Sequence, residues 1–148
     1  MPSGITDNDS YELRCEFTQI NGSLVIVLPI GDHQVGLYMN CYQEQSTTGI
    51  QWVEETLGDV NETTVKGRKL VANKKHSVVI RVYQPVSESD IAVTLNDEPL
   101  TAYRGYKSDL RLHPEVQLSN TKMVGLVAVM GTITFHTCDI RKIDPDTK

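Results

Sequence analysis

Aromatic rings and planar polar side chains are the features of this sequence best suited to binding a ligand. Trp52 is the only tryptophan, and three of the six tyrosines lie near arginines in the second half of the chain. Aromatic faces stack on the apolar faces of sugar rings, while guanidinium and amide groups hydrogen-bond hydroxyls in fixed directions. The candidate carbohydrate-binding residues are Tyr103, Arg104, Tyr106, Trp52, Asn61, Arg81 and Tyr83.

Within this set we expect Tyr103 to be the main ligand contact and Trp52 the second. Tyr103 follows a predicted chain reversal at Asn96 to Pro99, and Arg104 and Tyr106 come directly after it. Stacking and hydroxyl recognition would then fall within four residues. Packing in the core is the alternative for each ring, because aromatic side chains dominate the buried area of small domains.

Catalytic chemistry has less support in the sequence. Glu54 and Glu55 are adjacent carboxylates, and neighbouring residues of a strand point to opposite faces, so the two cannot flank one glycosidic bond. The nucleophile motif GxSxG and the phosphate-binding motifs GxGxxG and GxxxxGK[ST] do not occur. We therefore predict no catalytic residue.

Neither a metal site nor a cofactor is predicted. The four histidines, at 33, 76, 113 and 136, form no HxH or HxxxH pair, and the three cysteines form no CxxC pair. We interpret Cys15, Cys41 and Cys138 as small buried residues, with one disulfide among them as the main alternative.

Length and charge limit the class of protein. The 148 residues suit one domain over 1–148, with a flexible N-terminus over 1–10. Nineteen acidic residues against fourteen basic ones give a net charge of −5, which disfavours nucleic acid as a partner.

The longest apolar run, Leu24 to Ile30, is too short to cross a bilayer, so no membrane span is predicted. The N-terminus lacks the pattern of a signal peptide, and we leave localisation open between the cytoplasm and the envelope, as part of a longer chain.

Apolar residues alternate with polar ones along most of the chain. Tyr11 to Phe17 carries charges at every even position, and His76 to Tyr83 places His76, Val78, Ile80 and Val82 on one face. Leu24 to Leu28 is apolar on both faces, as in a strand covered from each side. About ten such strands, with no helical stripe, predict an all-β sandwich or barrel.

Turn residues predict where these strands reverse. Asn21-Gly22 predicts a hairpin between the first two strands, and Asn96-Asp97-Glu98-Pro99 predicts another. Gly131 is expected to separate the strands at 123–130 and 132–138.

Several short motifs resemble those of concanavalin A-like jelly-roll domains. They are Tyr11 to Phe17 with VIVLPIG (Val25 to Gly31), Asn61 to Val65 followed by His76 to Val82, Val93 to Asp97, Tyr103-Arg104-Gly105, and Val124 to Leu126 leading to Ile133-Thr134-Phe135. The resemblance covers about residues 11–143 and is nearest to the laminin-G-like modules of planctomycete bacteria. One departure is Glu98, which follows Asp97 where the family usually has glycine.

The resemblance implies an antiparallel two-sheet jelly-roll sandwich. It further implies a non-catalytic, lectin-like module that binds carbohydrate on its concave sheet as an accessory domain of a larger protein. The alternatives are a glycoside-cleaving enzyme similar to the 3-keto-disaccharide hydrolase domain, and a structural module whose partner is another domain or protein. The ExDxxE strand of the related glucanases is absent, and so are the H-x-N-x-R and W-x-x-E-x-R strands of galectins.

Overall fold

The computed structural model describes residues 9–31, 33–41, 47–50, 52–53, 56–57, 63, 65, 73–84, 88–106, 110–111 and 124–143. No helix occurs among these residues. The strands are β1 (Ser10–Ile30), β2 (His33–Cys41), β3 (Thr47–Ile50), β4 (Trp52–Val53), β5 (Thr56–Leu57), β6 (Lys75–Tyr83), β7 (Glu88–Leu95), β8 (Glu98–Tyr106), β9 (Leu110–Arg111) and β10 (Gly125–Ile143).

Two long strands, β1 and β10, pair antiparallel along most of their length and belong to both layers of the sandwich. The first half of β1 pairs on its other side with β6, and β7 and β8 follow, which makes the five-stranded layer. The second half of β1 pairs with β2, and β3 follows, which makes the four-stranded layer. A small separate sheet has the order β5-β4-β9.

The expected hairpin at Asn21-Gly22 is wrong, because β1 continues through these residues. Gly22 has a φ of 83°, and the pairing with β10 shifts register on both sides of Asn21. Gly131 faces this point, where a Cβ would overlap the backbone of Asn21, and β10 also continues through it rather than turning. β-bulges bend and twist strands, so these residues bend the ribbon from one layer into the other.

One core fills the space between the layers. Leu13, Phe17 and Ile80 come from the five-stranded layer, and Ile26 and Leu37 from the four-stranded layer, all within one buried cluster. The hydroxyl of Tyr11 donates a hydrogen bond of 2.8 Å to the carbonyl of Pro29, across the two halves of β1. The predicted inward face of β6 is confirmed, since His76, Val78, Ile80 and Val82 are all buried.

The predicted hairpin at Asn96-Asp97 is confirmed between β7 and β8. Asn96 and Asp97 have φ values of 52° and 68°, the pair of positive angles that a type I′ turn requires. The side-chain carbonyl of Asn96 accepts a hydrogen bond of 2.9 Å from the backbone N–H of Ser77, which ties the turn to β6. Asparagine and aspartate tolerate this conformation, so glycine is not needed after Asp97.

Cys15 and Cys138 form a disulfide between directly opposite positions of β1 and β10. The sequence-based interpretation of the cysteines as small buried residues fits Cys15, but the alternative, one disulfide, is what the structure shows, and Cys138 is only partly buried. The pairing of β1 with β10 brings the two residues together, although 123 positions separate them in the chain.

Candidate functional site

The two layers of the sandwich differ in how much of their outer face is open. On the four-stranded layer, the outward residues Val25, Gln34 and Tyr38 are buried, and so is Val27. On the five-stranded layer, the outward residues Arg14, Ala92, Arg104 and Tyr106 are exposed. The open surface among the described residues is therefore the outward side of the five-stranded layer, which we call the outer face.

Strand register arranges the side chains of the outer face in rows. One row joins Arg141 of β10, Glu12 of β1 and Arg81 of β6, each directly opposite the next. The next row joins Tyr83, Asp90 and Arg104, and Tyr106 follows two residues farther along β8. Because alternate residues of a strand share a face, four of the seven predicted residues lie on this one surface. They are Arg81, Tyr83, Arg104 and Tyr106, of which Tyr83 is buried and does not offer its ring to a ligand.

Tyr103 points the other way, into the core. Its side chain is 4% exposed and belongs to the main buried cluster. Its hydroxyl donates a hydrogen bond of 3.1 Å to the backbone carbonyl of Tyr106. Gly105 lies against the same ring, where a Cβ would overlap the hydroxyl oxygen of Tyr103. The ring therefore supports the end of β8 from inside, and the aromatic surface left for a ligand is that of Tyr106.

Trp52 and Asn61 cannot be placed in this way. Trp52 lies in β4, where its backbone pairs with Leu57 and Arg111, and its side chain lies outside the described residues. Asn61, Glu54 and Glu55 lie outside the described residues altogether.

An arginine–aspartate pair stands beside the exposed tyrosine. The Nη2 and Nε atoms of Arg104 lie 2.9 Å and 3.3 Å from Oδ2 of Asp90. Arg104 is exposed, Asp90 is partly exposed, and the ring of Tyr106 is 59% exposed. The pair presents N–H donors next to a carboxylate acceptor, and a sugar hydroxyl both donates and accepts. The adjoining ring offers a face for stacking.

A second cluster, centred on Glu12, was not singled out from the sequence. The Nε atom of Arg14 lies 2.7 Å from Oε1 of Glu12, Nη2 of Arg141 lies 3.1 Å from the same oxygen, and Nε of Arg81 lies 2.9 Å from Oε2. The contact of Arg81 is ionic only, because its N–H is not aligned for a hydrogen bond. The ring of Tyr83 lies 5.9 Å from the Arg81 guanidinium and packs beside it.

The electrostatics of this cluster keep Glu12 ionised. The carboxylate is 2% exposed, and burial by itself would raise its pKa. The hydrogen bond from Arg14 and the charges of Arg14, Arg141 and Arg81 outweigh burial, so the pKa of Glu12 is lowered. In return, the hydrogen bond to Glu12 raises the pKa of Arg14. The only signal in the sequence was the alternation of charges along Tyr11 to Phe17, which is typical of any solvent-facing strand.

The described residues contain neither a metal-binding cluster nor a membrane-spanning helix. Across the described residues, no group of three histidine, cysteine, aspartate or glutamate side chains is close enough to hold a metal ion. His76, on the predicted wall of the core, is buried beside Phe17, and its Nδ1 lies 2.9 Å from the Asn96 side-chain amide. No helix long and apolar enough to cross a membrane is found in the part of the chain that is described.

Comparison with known proteins identifies the fold. No protein-family model matches the sequence. No curated protein matches it either. Galectin LEC-6 of Caenorhabditis elegans is similar in structure, with a TM-score of 0.56 and 9% identity over 95% of this chain and 88% of that one. Sheep galectin-11, in a complex with glycerol, has a TM-score of 0.52 and 14% identity over 95% of each chain. The chain thus has an antiparallel, two-sheet β-sandwich fold similar to that of these two structures, which confirms the all-β sandwich that the sequence predicts.

Proposed function

We propose that this protein is a non-catalytic carbohydrate-binding module, with a site on the outer face around Tyr106, Arg104 and Asp90. The likeness to two galectins, which are β-sandwich lectins, supports the ligand class. Fold alone does not decide function, so the weight of the proposal rests on one observation. An exposed aromatic ring stands next to an ion pair of an exposed arginine and a partly exposed aspartate, which offers both donors and acceptors.

The proposed binding mode follows from these groups. The ring of Tyr106 stacks on the apolar face of one sugar, and Arg104 with Asp90 fixes the orientation of neighbouring hydroxyls. Affinity for one sugar unit is weak because so little surface is covered, and it rises with chain length. Following the resemblance in sequence, we also propose that the module is an accessory part of a larger protein and is related to the laminin-G-like modules of planctomycete bacteria.

An enzymatic reading finds no support in the described carboxylates. A glycosidase of the common two-carboxylate type needs a general acid with a raised pKa beside a second carboxylate. The most buried carboxylate on the outer face, Glu12, has a lowered pKa and three arginine partners. Asp90 is likewise paired with an arginine, Arg104. These carboxylates are suited to positioning guanidinium groups rather than to transferring protons.

A glycan array on the full chain, followed by titration of the best neutral oligosaccharide, tests the proposal. Tyr106→Ala should weaken binding at least tenfold, or about 1.4 kcal/mol. Ile20→Ala is the matched control, because Ile20 is the other exposed large apolar side chain among the described residues and lies at the bend of β1. Retained affinity in Tyr106→Ala would contradict the placement of the sugar site around this ring. Failure of every glycan to bind would contradict the function itself.

A further inference from the structure

The Glu12 cluster holds more positive charge than its carboxylate requires. Three guanidiniums from three adjacent strands converge on one buried carboxylate. One guanidinium suffices to neutralise a carboxylate, and each further one adds repulsion between like charges. Two further carboxylates lie nearby, Asp139 as the exposed register partner of Arg14 and Asp97 through its charge on Arg14. Among the described residues, however, Glu12 is the carboxylate in ion-pair contact with all three guanidiniums, which leaves their outward N–H groups to bind an additional anion.

The free donors of the cluster are accessible. The side chains of Arg14, Arg81 and Arg141 are 63%, 37% and 64% exposed, whereas Glu12 is 2% exposed. Arg14 and Arg81 approach Glu12 through Nε. Among the described residues, their Nη groups have no partner. A guanidinium carries five N–H donors in a rigid fork that matches the oxygens of carboxylate, sulfate or phosphate groups.

The Glu12 carboxylate holds the arginines of the cluster in place before any ligand binds. Arginine normally loses side-chain freedom when it binds an anion, and that loss weakens binding. Here Glu12 already restrains Arg14 and Arg141, and the ring of Tyr83 packs beside the Arg81 guanidinium. Part of the ordering cost therefore falls on folding and not on ligand binding.

We propose that Arg14, Arg81 and Arg141 form a binding site for the sulfate or carboxylate groups of an acidic polysaccharide. The site lies on the same outer face as the proposed sugar site. Four spacings of about 4.8 Å separate β10 from β8, so the face is roughly 19 Å wide and suits a polymer that crosses several strands. The net charge of −5 opposes the long-range attraction of any polyanion, so binding has to come from these local guanidinium groups. The polysaccharide class rests on the proposed carbohydrate binding, whereas the anion site rests on the cluster alone.

The test compares a charged and a neutral polymer on the full chain. Equilibrium binding of dextran sulfate and of dextran of equal length is measured at about 50 mM and about 200 mM salt. The wild type should bind dextran sulfate, with much lower affinity at the higher salt concentration. Arg141→Gln and Arg14→Gln should each weaken this binding at least tenfold, and because both arginines also neutralise the buried Glu12, binding is compared at a temperature at which thermal unfolding shows both variants folded.

Lys142→Gln is the matched control. Lys142 is next to Arg141 on β10 and is similarly exposed, and its substitution removes the same charge. Its register partner is Tyr11, which faces inward, so Lys142 is not part of the Glu12 cluster. An equal loss of affinity in Lys142→Gln and Arg141→Gln would show unspecific charge attraction and overturn the site. Absence of dextran sulfate binding would overturn it too, and equally tight binding of a DNA duplex would overturn the polysaccharide class. Neutral-glycan binding that depends on Tyr106 is a separate readout, so either proposal can fail without the other.

Discussion

Replacing Tyr103 with alanine separates a core role for this ring from a ligand-binding role. The sequence predicts that Tyr103→Ala weakens oligosaccharide binding and leaves stability unchanged. The structure predicts the opposite, because the side chain is 4% exposed and packs in the main cluster. The aromatic surface that the sequence assigned to a ligand is already in contact with the protein interior.

The expected loss of stability follows from the burial of the ring. Truncating a buried aromatic side chain to alanine costs about 3–5 kcal/mol, through lost burial and the cavity that remains. The hydrogen bond from the hydroxyl to the carbonyl of Tyr106 accounts for roughly 0.5–1.5 kcal/mol of this. At about 2–4 °C per kcal/mol, the unfolding temperature should fall by roughly 6–20 °C.

Urea and thermal unfolding of three variants measure these contributions. Tyr103→Ala should show the full loss, and Tyr103→Phe only the share of the hydroxyl. Tyr106→Ala is the matched control, since it removes the same side chain from an exposed position and should change stability by less than about 0.5 kcal/mol. If Tyr103→Ala unfolds at the wild-type temperature, the ring is not part of the core and the placement of β8 is refuted.

Three further predictions use the same measurements. Ile80→Ala should cost about 2–5 kcal/mol, because Ile80 is fully buried, and Val79→Ala on the outer face should cost much less; similar losses would contradict the inward face of β6. Folding lowers the pKa of Glu12, so its contribution to stability is complete above the ordinary pKa of 4.5 and is lost as the pH falls through the lower pKa of the folded state. Glu12→Gln should therefore be less stable than the wild type at neutral pH, and its free energy of unfolding should fall less steeply in acid. A wild-type-like decline in that variant would refute the assignment. Gly105→Ala should destabilise the protein by about 1–3 kcal/mol, because its Cβ would overlap the hydroxyl oxygen and the Cζ atom of Tyr103. The loss should be smaller in a Tyr103→Phe background, where the closer of these two contacts is gone, and a larger loss there would count against the contact.

Local patterns in the sequence determined the strands and which of their side chains face inward. Alternation along His76 to Tyr83 predicts the buried face of β6, and the two-sided apolar run from Leu24 predicts a strand that is covered on both faces. The turn at Asn96-Asp97 was equally predictable, because both residue types adopt positive φ angles. Such features depend on neighbours a few positions apart, so one sequence is enough to show them.

Only the tertiary structure decided which side chains from distant strands meet. Asn21-Gly22 has the residues of a hairpin turn, yet both flanking segments pair with β10, and the chain bends instead of reversing. Tyr103 and Tyr106 look alike in sequence, but an odd number of positions separates them along β8, so one ring enters the core and the other faces solvent. Glu12 gains Arg81 and Arg141 because β6 and β10 flank β1 in this register. Strand order and register arise from packing across the whole chain, and no short pattern encodes them.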